Sequence, residues 1–449
     1  MTPKVTVVMP SLNVAKYIDA CMKSVVAQTL QDIEILVIDA GSTDGTLEIL
    51  EKYAEKDARV KVIHSDKKSY GYQLNIGIAL AQGEYVGIVE TDDIIELDMY
   101  ETLYDIAVRT NAEYVKGTFE KFVEVGKDIC WNQTAGTLLP DAGMLGKVIE
   151  PRKMPELLVT DFYLWNGIYR KDFVGKIKLN ETPGAAFQDV GFLLQTMNSA
   201  GKAVYIDKVV YKYRQDNGGS STFNRKGFHY LVEEYAFTDK FLENLDADWK
   251  NIYFQKMFMQ CSMRFRIMAI SGTFWEEVFS DMEILREKLL FAVESGVLDP
   301  LTMDTKWQVI LKLFLQGAQD IYNYWLDEFR REAAQAYEVL KVIGGHQVIV
   351  FGCGKYGKFF HALLESKCPG QAAAYSDNNT NLWNTEIQGM RVLSPEKAEE
   401  QYPEAVYVIA NLRSAEEIKS QLQGMGIMDK RICIYQGSVN MVLFHMKYK

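Results

Sequence analysis

Three loops in the first hundred residues carry side chains able to do chemistry, and each follows a short apolar run. Val5–Met9 leads into Pro10-Ser11-Leu12-Asn13, and Ile33–Ile38 into Asp39-Ala40-Gly41-Ser42-Thr43-Asp44-Gly45-Thr46. Tyr85–Val89 leads into Glu90-Thr91-Asp92-Asp93. Carboxylates accept N–H and O–H donors from a polar ligand, and they ligate hard divalent cations. Side chains alternate at an extended strand end, so Asp92 and Asp93 can serve two different groups. No Gly-x-Gly-x-x-Gly follows the first run, so a dinucleotide fingerprint is absent there. A second constellation lies far downstream. Gly352-Cys353-Gly354-Lys355-Tyr356-Gly357 directly follows Gln347–Phe351 and precedes a helical pattern, with Asp377 after Ala372–Tyr375. In that context the amides can approach a pyrophosphate while the acid holds a ribose. A structural or docking role is the alternative for Gly352, Gly354, Gly357 and Asp377.

For the first three loops to meet, their runs must be neighbouring strands. Helical patterns over Ala15–Gln28, Thr43–Ala54 and Tyr72–Ala81, with a further strand at Val60–Ile63, predict a parallel sheet covered on both faces. Ligands then bind outside the carboxyl ends of the strands. From Phe119 to about Phe223 the pattern loosens into short strands and loops punctuated by Pro140, Pro151, Pro155 and Pro183. Residues 225–341 are strongly helical, Gly344-Gly345 reads as a break, and a second β-α unit opens at Gln347. The division expected is 1–224, 225–343 and 344–449. A length of 449 residues fits this at ~150 per domain.

The net charge of −11 argues against nucleic acid as a partner. No apolar run approaches the ~18 residues of a membrane span, and the N-terminus lacks a secretory pattern. Six scattered cysteines without a Cys-x-x-Cys pair suggest reduced thiols, so a cytoplasmic location is expected. Five histidines without ligand spacing argue against a His-based triad or metal cage. In the helical middle, Phe254, Met257, Phe258, Cys261 and Phe265 form a face that is either core or a docking surface for a membrane. Peripheral membrane contact is therefore kept open, and the sequence does not set an oligomeric state.

Taken in order, the motifs resemble the inverting, nucleotide-sugar-dependent glycosyltransferases of family 2. They are Pro10-Ser11-Leu12-Asn13, Asp39-x-Gly-Ser-Thr-Asp-Gly-Thr, Asn75 and Gly77 before Gly83-Glu84-Tyr85, and Thr91-Asp92-Asp93. Trp165-Asn166-Gly167-Ile168-Tyr169-Arg170 and Phe187-Gln188-Asp189 complete the set. The resemblance covers roughly the first half of the chain. It implies an α/β GT-A nucleotide-diphospho-sugar transferase fold with a mostly parallel sheet, here followed by a helical middle region and a small Rossmann-like domain. It also implies a nucleotide site formed by Pro10, Ser11, Asn13, Asp39, Asn75 and Asp92, and a divalent metal, Mn²⁺ or Mg²⁺, on Asp93 and Asp92. Asp39 can accept the N3–H of a uracil ring, which favours a UDP-linked donor, although an Asx-turn is the blander role. The family's general base falls on Asp189, with Asp161 or Asp172 as substitutes. Trp165 and Asn166 are offered to the acceptor, a glycan or lipid-linked sugar of bacterial surface polysaccharide. Two departures stand out: Glu90 replaces the commoner Asp, and Gln188 the commoner Glu. The rival readings are an NAD(P)-dependent or nucleotide-sugar-modifying oxidoreductase built on the Gly352–Gly357 loop, and a catalytically decayed binding protein.

Overall fold

Strand β1 (Val5–Ser11) and strand β2 (Ile33–Asp39) are buried at every position, as strands with helices on both faces must be. The computed structural model describes residues 2–125, 128–134, 138–217, 224–411 and 413–436. Phe223, the expected end of the looser segment, and the residues beyond 436 lie outside them. By internal packing the chain forms two compact units. One comprises the described residues of Met1–Glu120, Thr134–Phe265 and Trp275–Ile321; the other, those of Lys121–Gln133, Arg266–Phe274 and Tyr322–Lys449.

In the first unit, helices α1 (Ile18–Val26), α2 (Thr46–Lys56) and α3 (Tyr70–Leu80) alternate with β1, β2, β3 (Val60–His64) and β4 (Tyr85–Ile88). The register sets Ser11 beside Asp39 and Asp39 beside His64, so the polar loops leave the sheet along one edge. Gly77 makes the layer close: a Cβ there would meet Val8 Cγ1 at 2.2 Å, so only glycine lets α3 lie this near β1. Then follow β5 (Ile94–Ile95), α4 (Met99–Thr110), β6 (Tyr114–Val125), β7 (Asp128–Thr134), β8 (Val148–Ile149), α5 (Leu157–Thr160), β9 (Gly167–Arg170), α6 (Lys171–Val174), α7 (Asp189–Ser199) and β10 (Ala203–Arg214). The sheet order is β3-β2-β1-β4-β9-β6-β10-β5, with β9 antiparallel to both β4 and β6. The segment from Phe119 onward is thus less loose than its sequence suggests. Two 12-residue strands, β6 and β10, extend the same sheet.

Helices α8 (Gly227–Thr238), α9 (Ala247–Ser271), α10 (Phe279–Glu294), α11 (Thr305–Gln316) and α12 (Ala318–Ile343) make up the helical middle. Phe254, Met257, Phe258, Cys261 and Phe265 are all buried, with Phe258 against Trp307 and Phe314. That face is core, and so it is not a surface that meets a membrane.

The second unit contains β11 (Val348–Phe351), α13 (Lys355–Lys367), β12 (Ala372–Ser376), β13 (Glu386–Ile387), β14 (Met390–Leu393), α14 (Pro395–Gln401), β15 (Val406–Ile409), α15 (Ala415–Gly424) and β16 (Ile432–Ile434). Its sheet runs β13-β14-β12-β11-β15-β16, parallel except for β13, with an apolar core on each face.

Candidate active site

The ends of β1 and β2 are tied together before any ligand arrives. Asp39 Oδ1 accepts the Gly41 and Ser42 amides at 2.9 and 2.8 Å, and Oδ2 accepts the Ser42 hydroxyl at 2.6 Å. Asn13, at φ 52°, accepts the Thr43 amide through Oδ1, while its own amide donates to Ser42 Oγ. Pro10 accepts the Thr91 hydroxyl on its carbonyl, joining this loop to the acidic one. Ser11 is buried with an unpartnered Oγ. Asp39 Oδ2 carries a single bond, which leaves capacity for one more donor. Asn75 is engaged elsewhere: Nδ2 donates to the Leu179 carbonyl and Glu181, and Oδ1 accepts the Leu179 amide. The residue expected at the nucleotide is a brace between α3 and the chain before α7.

The adjacent acids diverge, as the alternation predicts. Asp93 is fully buried, accepting the Arg214 amide at 2.7 Å and the Tyr211 hydroxyl at 2.9 Å. Asp92 is half-buried and accepts Asn217 Nδ2 at 2.7 Å, while its carbonyl receives Arg214 Nε. Asp93 therefore fastens the end of β10, which leaves Asp92 as the acid at the rim. Glu90, bonded by the Tyr70 hydroxyl, is pushed up to about 8 by burial, with Asp92 and Asp189 adding repulsion. Burial likewise raises Asp92 and Asp93. Among the described residues no three acids, histidines or cysteines converge into a metal cage. A cation bound here would be shared between Asp92 and a ligand's phosphates, a mode Mg²⁺ in particular favours.

Asp189 opens α7, following Phe187 in the left-handed region at φ 70°. A bulky residue held there is strained, and its surroundings must hold it. The Arg264 guanidinium packs 4.9 Å from the Phe187 ring centroid. Glu234, fully buried on α8, accepts the Gly191 amide at 3.0 Å and Asn180 Nδ2 at 3.2 Å. This carboxyl caps α7 at Gly191 from another helix, while the Asp189 carboxyl takes the Asp189 and Val190 amides. Burial raises Asp189, and the charge of Lys256 opposes that rise. The substitute bases are accounted for. Asp161 is fully buried against Lys116 and the Tyr205 hydroxyl, and Asp172 is exposed and paired with Arg170.

The family comparison decides the class: the profile of "Glycosyl transferase family 2" matches residues 6–177. Residues 6–177 therefore form a region similar to the family 2 glycosyltransferases. The glycosyltransferase GlyG of Streptococcus pneumoniae is 28% identical over 310 residues, covering 66% of this chain and 98% of the relative. The uncharacterized glycosyltransferase YibD of Escherichia coli is 29% identical over 251 residues, covering 55% and 72%. Among solved structures, S. aureus TarS 1–349 in complex with UDP-GlcNAc superposes with a TM-score of 0.53 at 19% identity. It covers 73% of this chain and 92% of that one, which supports the GT-A fold.

Within this transferase, Trp165 stacks on Tyr211 with centroids 4.1 Å apart and meets Phe119 edge-on. Asn166 Nδ2 donates to the Gly117 carbonyl, and its buried Oδ1 has no partner. Both offered acceptor residues lie in the packing between β6, β9 and β10. Sequence reading missed Arg214, Tyr211, Glu234 and Lys256. Lys256 did leave a signal, a lysine inside the apolar stretch from Phe254 to Phe258. In the second unit, Gly352 stands at φ 110° and a Cβ on Gly357 would meet the Gly352 carbonyl oxygen at 1.8 Å, so the loop is wound as its spacing predicts. Gly354 precedes α13. Asp377, however, accepts the Cys353 and Asn379 amides at 2.8 Å each, so its oxygens hold the loop.

Proposed function

We propose that this glycosyltransferase moves a sugar from a UDP-linked donor to a glycan or lipid-linked acceptor with inversion, in building a bacterial surface polysaccharide. The observation that carries the reading is one carboxylate set with divided labour. Asp39 and Asp92 stand at the ends of parallel strands, and Asp189 stands separately at the start of α7. Asp39 accepts the uracil N3–H on Oδ2, beside Pro10, Ser11 and Asn13. A divalent cation, Mn²⁺ or Mg²⁺, would be held through Asp92 and would offset charge on the departing diphosphate. Asp93 keeps β10 against that edge. Asp189 takes the proton of the acceptor hydroxyl as its oxygen bonds to the anomeric carbon and the bond to the diphosphate breaks. The solved TarS complexes with UDP-GlcNAc and UDP favour a uridine donor. Chondroitin synthase of E. coli, 37% identical over 103 residues, favours a polysaccharide product. No described helix is long and apolar enough to cross a membrane. A lipid-linked acceptor would be met at the cytoplasmic face by peripheral contact, the location that the reduced cysteines favour.

We assign residues 1–224 to donor and acceptor, 225–343 to support of the base, and 344–449 to a structural or docking role. Incubation with a panel of nucleotide sugars, read as nucleoside diphosphate release, tests the proposal. UDP release from at least one UDP-sugar is expected, with UDP plus Mn²⁺ raising the melting temperature. Turnover of GDP- or CMP-sugars alone overturns the uridine assignment.

A further inference from the structure

Two lysines are buried beneath the base, with only one buried carboxylate between them. Lys116 on β6 pairs with Asp161, whose oxygens also receive the Tyr205 hydroxyl and the Tyr163 amide. Lys256 on α9 is fully buried. Its Nζ donates to the Leu158 carbonyl at 2.7 Å, lies 3.5 Å from the Asp161 carbonyl, and sits 3.3 Å from the Phe162 ring centroid. The carbonyl and ring fix the ammonium in place without neutralising it. No described carboxylate lies within ion-pair distance of it. An unpaired buried ammonium is costly unless an anion nearby balances it. Leu158 belongs to α5, which packs on α7, the helix that Asp189 opens.

We propose that Lys256 is a positioning residue for transfer: it is the countercharge of Asp189, delivered from the helical middle to the back of the catalytic helix. This rests on Asp189 being the base. A direct salt bridge would make Asp189 too weak a base, whereas a cation beyond contact distance keeps it ionised but able to accept a proton. The interaction is mutual, since burial raises Asp189 and lowers Lys256 and each charge opposes the other's shift. Lys256 also faces Asp161 and Lys116. Around Asp189 the other titratable groups are Glu90 after β4, Glu234 and Tyr235 on α8, Tyr70 on α3 and Tyr163 before β9. None of these is a cation; Arg264, buried on the same helix as Lys256, packs on the ring of Phe187 two residues before Asp189, and the charge that acts on Asp189 is that of Lys256.

The test is the pH profile of kcat for Lys256→Met beside wild type and Asp189→Asn. Without the cation, Asp189 holds its proton to higher pH. The acid limb should therefore move up by about one pH unit, cutting kcat roughly threefold near pH 6.5 and approaching tenfold below about pH 5, with kcat nearly equal to wild type at about pH 9. The Kd for UDP in Mn²⁺ should change by less than about twofold, because the nucleotide and metal are assigned to Asp39 and Asp92, which Lys256 does not touch. A uniform loss at every pH, or an acid limb that does not move, overturns the role of Lys256. If Lys256→Met does not fold, Lys256→Arg carries the test. Its guanidinium stays charged, so the acid limb should remain at or below that of wild type, and an upward shift overturns the proposal. Activity retained by Asp189→Asn would instead remove the base assignment, and this inference with it. An inactive Asp189→Asn beside an unshifted Lys256→Met removes Lys256 alone.

Discussion

Both units place an acid at the end of the second strand of a parallel sheet, beside a loop leaving the first. Asp39 follows this rule in the first unit and Asp377 in the second, and both accept backbone amides in their loops. Their local geometry does not distinguish a site from a turn. Their surroundings do. The first unit buries Asp93, Asp161 and Glu234 and half-buries Glu90, Asp92 and Asp189, whereas the second has no buried acid among its described residues. Burying charge is expensive, so a chain that concentrates acids at one edge has a use for the field they create. The strand-end acid common to both units is architecture; on the proposed reading, the half-buried acids added in the first unit are where the chemistry is placed.

The largest effect that can break this contrast is expected at Asp189. Asp189→Asn keeps the shape of the side chain but cannot take a proton at neutral pH. General-base contributions are ~10²–10⁴-fold, so kcat should fall by that factor while the UDP Kd moves less than about threefold. Stability should hold, because Glu234 caps α7. Near-wild-type turnover would show that the acids behind Asp39 serve the fold alone.

Next comes the neighbouring pair. Asp92→Ala should lower kcat at least about tenfold and blunt its dependence on Mn²⁺, with the melting temperature nearly unchanged. Asp93→Ala strands the buried Arg214 amide and Tyr211 hydroxyl, each an unsatisfied donor worth about 1–3 kcal/mol, so it should lower the melting temperature clearly. Thermal melts and metal titrations of the two variants separate these outcomes. A stable Asp93→Ala with lost metal dependence would return the metal to Asp93.

These assignments mark how far the sequence could be read. The parallel half of the sheet, the helical middle and the C-terminal β-α unit were all legible, because period and apolar runs report burial directly. The long strands β6 and β10 were less so, since they form late pairings far along the chain, and Lys116 interrupts the apolar pattern of β6. Motif spacing brought out Asp39, Asp92 and Asp189. It could not say that Asp93 would turn inward to Tyr211 or that Asn75 would brace Leu179. Those outcomes depend on partners more than a hundred residues away. Lys256 left a trace as a lysine in an apolar stretch, but its place beside α5 and α7 depends on such distant partners too.

The smallest effects sharpen the comparison at its origin, the two strand-end acids. Asp39→Asn leaves one oxygen to accept the Gly41 and Ser42 amides, so the turn can survive, but it removes the charged acceptor offered to uracil. A hydrogen bond to a charged group is worth ~1.5–3 kcal/mol, and the variant would present Nδ2, a donor, where the uracil N3–H needs an acceptor, so UDP affinity should weaken by at least about tenfold. Asp377→Asn makes the same chemical change in the same kind of turn. There the carboxylate is committed to the Cys353 and Asn379 amides, so UDP affinity and turnover of the full chain should both stay within about twofold of wild type. Isothermal titration of UDP into the two variants measures the difference. Equal losses would mean that the second loop also serves the donor. No loss at Asp39 would mean that it, like Asp377, is a turn residue, and the uridine contact would then have to come from elsewhere on the β1 edge, with the unpartnered Ser11 hydroxyl as a candidate.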